Sequence, residues 1–288
     1  MIYLILSIFF TTALVLIFKM FELYKVNNFQ AIVFNYITAG LISFLVVGDP
    51  IDVKQIASEQ WFPSTLLIGS LFITLFNVIA FSAQKVGIAI TSVATKISLC
   101  IPVLFGYFYF NDSMNSFKVV GILLALLSVY FTAKKEEKRK TINPLLFSVP
   151  IILFFGSGVL DIVLIYSLET YDLVEQGLEL KFSSILFSVA GLIGLPILIF
   201  RHFTVEKIKL RNIIAGVSLG IPNVMSIVFF LKCLNYYPES TFVFPINNVG
   251  IVAASAILAS LLFKERLSKT NWIGIGIAIT SILLISIS

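Results

Sequence analysis

Residues 88–110 read IAITSVATKISLCIPVLFGYFYF, and Lys96 is the only charged side chain among the 23. A helix needs about 20 apolar residues to cross about 30 Å of hydrocarbon at 1.5 Å per residue. The stretch is therefore long enough to span a bilayer. It is continuously apolar rather than alternating, which excludes the strand of a membrane barrel. Nine further runs of this kind flank it, giving ten predicted spans at 2–18, 29–47, 64–86, 88–110, 117–133, 144–168, 182–200, 213–234, 241–263 and 272–287. Composition agrees. Of 288 residues 59% are hydrophobic and 12% charged, with a mean hydropathy of +1.03, whereas soluble domains average about 45–50% apolar and about 25% charged. An all-α, polytopic membrane protein follows, and its first partner is the lipid bilayer.

The boundaries carry their own signals. Gln84-Lys85-Val86-Gly87 alone separates the third and fourth spans, which predicts a tight helical hairpin. A charged linker, Lys134 to Lys140, precedes Pro144, a residue suited to a helix start. The first span lacks the basic flank and cleavage site of a signal peptide. Loops after odd-numbered spans carry fifteen Lys and Arg, against three (Lys54, Lys118, Lys181) after even-numbered spans. Basic loops stay cytoplasmic, so both termini are expected outside the cytoplasm, in the plasma (inner) membrane.

The chain also repeats itself. Phe110-Asn111-Asp112-Ser113-Met114 leads to Val119-Val120-Gly121-Ile122. Phe263-Lys264-Glu265-Arg266-Leu267 leads to Trp272-Ile273-Gly274-Ile275, 153 residues later. Each half, 1–140 and 141–288, holds five spans. An odd number makes the second copy enter the membrane the other way, as in inverted-repeat transporters. The loop at Asp112 is poor in basic residues and its counterpart at Glu265 is rich in them, as opposite orientations require.

In these residues the chain resembles the drug/metabolite transporter superfamily, in its ten-span EamA-like branch. Lys264-Glu265-Arg266-Leu267 is similar to that family's Gly-Glu-Arg-Leu, and Ile101-Pro102-Val103-Leu104-Phe105-Gly106 before Asn111-Asp112 matches its first-half counterpart. Two departures stand out: Asp112 replaces the usual Glu, and Asn111 and Lys264 replace glycine. The resemblance implies a secondary transporter, an exporter or exchanger of small polar metabolites such as amino acids, and leaves the cargo open. A flippase of a lipid-linked metabolite is the alternative.

Ionisable groups inside spans cost about 2.5–3.5 kcal/mol at mid-helix and mark function by default. Lys96 and Asp161 are the clear cases. Counted along straight helices they lie about 12 Å and about 25 Å from the cytoplasmic edge. Asn77 and Asn223 fall near the depth of Lys96, and Asn247 and Asn248 near that of Asp161. These six are the candidate substrate-binding residues, in two polar layers. A zwitterion could set its carboxylate at Lys96 and its ammonium at Asp161. Pro102, Pro222 and Pro245 mark candidate hinges, since proline frees the carbonyl four residues back. Lys118, Glu265 and Arg266 lie at span ends and read as anchors.

Several chemistries drop out. No P-loop, HExxH or in-span histidine occurs, and Asp161 is the one in-span aspartate, so an intramembrane enzyme is not expected. Gly156-Ser157-Gly158 has no histidine to activate its serine and reads as a close-packing element. Cys100 and Cys233 read as buried free thiols, and His202 is the single histidine, so no metal or cofactor is expected. No nucleic-acid partner is expected. Protons are a candidate coupling ion through Asp161, and the functional unit is a monomer or a homodimer.

Overall fold

The computed structural model describes residues 2–48, 53–110, 114–133, 144–173, 175–236 and 243–287. Asn111-Asp112-Ser113 and the linker at 134–140 lie outside the described residues. Among the described residues there are twelve α-helices: α1 Ile2–Leu23, α2 Asn28–Val47, α3 Val53–Ser58, α4 Phe62–Lys85, α5 Ile88–Ile97, α6 Cys100–Phe105, α7 Ser116–Ala133, α8 Pro144–Thr170, α9 Glu179–Thr204, α10 Leu210–Tyr236, α11 Val243–Phe263 and α12 Lys269–Ile287. A π-helical turn, Gly106–Phe110, continues α6. No strand occurs among the described residues.

Among the described residues eight segments are long and apolar enough to cross a membrane: α1, α2, α4, the α5–α6 run, α8, α9, α10 and α11. α7 and α12 are shorter apolar helices. Together they occupy the ten predicted spans, and the protein is a polytopic helical membrane protein. Large apolar side chains stand fully outward, including Leu45, Phe108 and Phe203. Such faces cost nothing against lipid, where backbone polar groups must instead be satisfied within each helix.

The chain packs as two compact units. One comprises Met1–Met20, Val78–Val159 and Ser226–Ser288; the other comprises Phe21–Asn77 and Leu160–Met225. Each draws on both sequence halves.

In the first unit, α7 lies along α12. Both helices carry the pattern Gly-Ile-x-x-Ala-x-x-Ser, at Gly121 to Ser128 and at Gly274 to Ser281, and all eight named positions are buried. Small residues let the backbones touch. A Cβ on Gly121 would stand 2.6 Å from Ile285 Cγ1 and 3.2 Å from the Ser281 carbonyl oxygen. Around this seam Val93, Ile97, Cys100, Val252, Ala256 and Ile282 form one apolar cluster.

In the second unit, α2 lies along α9. A Cβ on Gly40 would meet Ser188 Oγ at 2.8 Å, and one on Gly191 would meet Ile37 N at 3.3 Å. Gly40 and Gly191 are 151 residues apart, and so are Ile37 and Ser188. The two contacts thus mirror one another, with residue and counterpart exchanging roles. In both units the helices that pair most closely occupy equivalent places in the two halves: fifth with tenth span, second with seventh.

Candidate functional site

In the first unit the fourth span is broken. α5 ends at Ile97, Ser98-Leu99 form a turn, and α6 begins at Cys100. Pro102 explains the position of the break. It has no N–H to offer the Ser98 carbonyl four residues back. Ile101 N donates to that oxygen instead, at 2.8 Å, and Leu99 N donates to the Lys96 carbonyl at 3.4 Å. Lys96 therefore sits in the last turn of a half-helix, where the dipole favours a cation. It is half-buried. Gly158 of α8 presses on Ile101, so the Gly156-Ser157-Gly158 triplet serves close approach at the break.

The two helices flanking this break, α5 and α11, carry buried polar atoms without a hydrogen-bond partner: Ser92 Oγ, Asn247 Oδ1 and Ser255 Oγ. Ser92 stands one turn before Lys96 on the same face of α5. Asn247, Ile251 and Ser255 follow at four-residue spacing on one face of α11, and all three are buried. Each unpaired buried group costs about 1–3 kcal/mol. A polar ligand or water at these atoms would recover that cost. Asn248 is half-buried on α11. Pro245 is the third residue of α11, where the first-turn N–H groups have no intrahelical partner anyway, and α11 runs unbroken to Phe263.

In the second unit Asn223 is buried, and its Nδ2 donates to Asn35 Oδ1 at 3.2 Å. Asn35 on α2 is fully buried, and its own Nδ2 has no partner. Gly216 and Gly220 make this pairing reachable. A Cβ on Gly216 would meet the Ala31 carbonyl oxygen at 2.5 Å, and one on Gly220 the Asn35 carbonyl oxygen at 2.8 Å. Asn35 was missed by the sequence reading, although an amide well inside the apolar run 29–47 was the available signal. Pro222 lies inside α10, which stays helical from Leu210 to Tyr236. Asn77 turns its Nδ2 to the Ile73 carbonyl of its own helix at 2.7 Å. Asp161 is half-buried on α8.

Lys96, Asn247 and Asn248 thus share one unit, and Asn77, Asn223 and Asp161 the other, whereas depth along straight helices grouped them differently. The second unit also holds a cavity of about 380 Å³ beside α3 and the α8–α9 connection, lined by Glu59, Trp61, Tyr171 and Asp172. None of the predicted site residues lines it.

Residues 173–287 match the EamA-like transporter family. The match agrees with the drug/metabolite transporter resemblance carried by Lys264-Glu265-Arg266-Leu267 and the Gly274 helix. The chain is also 27% identical over 259 residues to an uncharacterized protein of Haemophilus influenzae, covering 88% of this chain and 86% of that one. The EamA-like match spans α9 to α12 and includes Asn223, Asn247 and Asn248. Lys96 and Asp161 lie before it.

Within the EamA-like segment Glu265 has a defined structural task. Both of its carboxylate oxygens accept the N–H of Ile88, at 3.0 and 3.1 Å. It thereby caps the start of α5, 177 residues away in sequence. Burial pushes its carboxyl above the usual range, while the Ile88 N–H, the Lys19 charge and the Ala89 N–H pull the other way. Lys19 Nζ itself donates to the Gln84 carbonyl at 2.7 Å. The anchoring role expected for Glu265 therefore has a named target.

Proposed function

We propose that the protein is a secondary transporter that exports or exchanges small polar metabolites, amino acids among them, by alternating access. Membership of the matched segment in a transporter family supports membrane transport as the general activity. The observation that carries the finer reading is the broken fourth span. A half-helix ending at Lys96, beside unpartnered Ser92, Asn247 and Ser255, is the kind of discontinuity that transporters use to hold a polar cargo in mid-membrane.

In this reading Lys96 meets the anionic group of the cargo. The amides Asn77, Asn223, Asn247 and Asn248 supply neutral hydrogen bonds, and Asp161 supplies a second charge or a proton site. Two inverted repeats, 1–140 and 141–288, rock against each other. The mirrored Gly40–Ser188 and Gly191–Ile37 contacts support that symmetry. Flipping of a lipid-linked metabolite is the second reading and uses the same architecture.

Counterflow in liposomes tests the proposal. Reconstituted protein is loaded with amino acids, nucleobases and small organic acids, and the retained pool is compared with protein-free vesicles and with Lys96→Ala. Selective loss of a few compounds, abolished in Lys96→Ala, is the expected result. A pool that stays intact with folded protein present removes the small-metabolite reading and leaves lipid flipping.

A further inference from the structure

We propose that Glu265 is a latch: it closes the α4–α5 turn against the α11–α12 connection, and its release frees α5 to move and opens a water path to Lys96. The inference rests on the transport reading for its purpose, but its geometry stands apart from any cargo.

The latch joins three pieces of chain within the first unit. The α4–α5 turn presents Gly87 and the free N–H groups that begin α5. Gly87 has φ +134°, which L side chains rarely adopt, and a Cβ there would stand 3.2 Å from Glu265 Oε2. The backbone conformation selects glycine, and a Cβ would also crowd the carboxylate by a few tenths of an ångström. The α11–α12 connection supplies Glu265 from a non-helical stretch, 264–268. The residue before it, Lys264, is held at φ +52°. A lysine in the left-handed region is a strained residue kept in place by its surroundings. The end of α1 completes the node. Lys19 Nζ reaches the Gln84 carbonyl at 2.7 Å, and Gln84 Nε2 reaches the Phe18 carbonyl at 2.9 Å.

Three features suit this node to opening rather than to permanent fastening. The Ile88 N–H reaches both oxygens of Glu265 and the Ala89 N–H also reaches the carboxylate, so the closure rests on one charge-assisted side chain. The carboxylate is only partly buried, so water can take over its hydrogen bonds. Its neighbour Lys264 is strained in the closed arrangement and relaxes on release. What the latch holds is the half-helix that ends at Lys96 and breaks at Ser98-Leu99. α5 also packs on α11, and its Thr91 hydroxyl meets that of Ser82 at 2.7 Å, so Glu265 is the fastening that joins its start to the α11–α12 connection. Glu265 is therefore a positioning residue for Lys96.

Accessibility of α5 tests this without knowledge of the cargo. Ser92→Cys is introduced into full-length protein lacking Cys100 and Cys233, and a membrane-impermeant charged maleimide is applied from each side of the reconstituted membrane. Release of a charge-assisted hydrogen bond shifts an equilibrium by about tenfold or more. Glu265→Ala is expected to speed labelling at position 92 from the side of the α4–α5 turn by about that factor. Glu265→Gln, which keeps an acceptor but loses the charge, should fall between. Gly87→Ala should act like Glu265→Ala by crowding the carboxylate. Elution as a single monodisperse species and an unchanged labelling rate at exposed Thr204→Cys show that each variant is folded. Equal labelling rates in folded wild type, Glu265→Ala and Gly87→Ala would overturn the latch. Such a result leaves the transport reading intact, and failed counterflow with faster labelling leaves the latch intact.

Discussion

The Ser281 hydroxyl donates to the carbonyl oxygen of Gly121 at 2.7 Å, both groups buried where α12 crosses α7. The bond ties the last span of one half to the last span of the other, and it exists because Gly121 has no side chain. A Cβ there would enter the space of Ile285 Cγ1 and crowd the α12 backbone. Lipid offers no hydrophobic force to push the helices together, so shape and this hydrogen bond do the work. Gly121→Leu should lower stability by about 1–3 kcal/mol through overpacking. Ser281→Ala should cost less, about 0.6 kcal/mol as is usual for interhelical bonds in membranes. Thermal unfolding in detergent checks both, and a Leu variant as stable as wild type would mean that the seam is loose.

The pair Asn35–Asn223 makes a second, separable prediction. Both amides are buried, and Gly216 and Gly220 hold α10 against α2 around them. Removing one partner takes this bond from the other buried amide, at a cost of about 1–3 kcal/mol. Removing both should cost less than the two single changes added together. A double-mutant cycle with Asn35→Leu and Asn223→Leu, read by unfolding, measures the coupling. Strict additivity would show that the bond contributes nothing.

The pH response of Glu265 has a definite sign. Burial raises its pKa above the ordinary 4.5 in the folded protein. A carboxyl raised on folding gives a contribution present below the unfolded pKa and lost as pH rises through the folded value. Between pH 4.5 and that higher value, wild type should lose stability relative to Glu265→Gln, which does not titrate. Melting temperatures of both proteins across this window provide the check. A wild type that gains on the variant as pH rises would mean that the Ile88 N–H and Lys19 outweigh desolvation.

Much of the architecture was legible because membranes make it so. A run such as 88–110 has few alternatives to a span. The break ahead of Pro102 could also be anticipated, since it follows from one missing N–H. The partnership of Glu265 with Ile88 could not, because nothing local to Lys264-Glu265-Arg266-Leu267 says which helix start it will reach. Asn35 escaped for a similar reason: its importance lies in facing Asn223, a contact across 188 positions. Side-chain partners are decided by which helices touch, and that information is spread over the whole chain.

The orientation expected from the basic loops can be decided with single cysteines. Cys100 and Cys233 are buried, so wild type should give a low background with an impermeant maleimide. Ser58, at the end of α3, and Thr204, at the end of α9, are exposed. They lie in loops after an even-numbered and an odd-numbered span. With ten spans these loops face opposite sides, so Ser58→Cys should label in intact cells and Thr204→Cys only after permeabilisation. The reverse pattern would place both termini in the cytoplasm and invert the positive-inside reading. Labelling of both positions from one side would break the ten-span count itself, and with it the opposed entry of the two halves on which the inverted repeat depends.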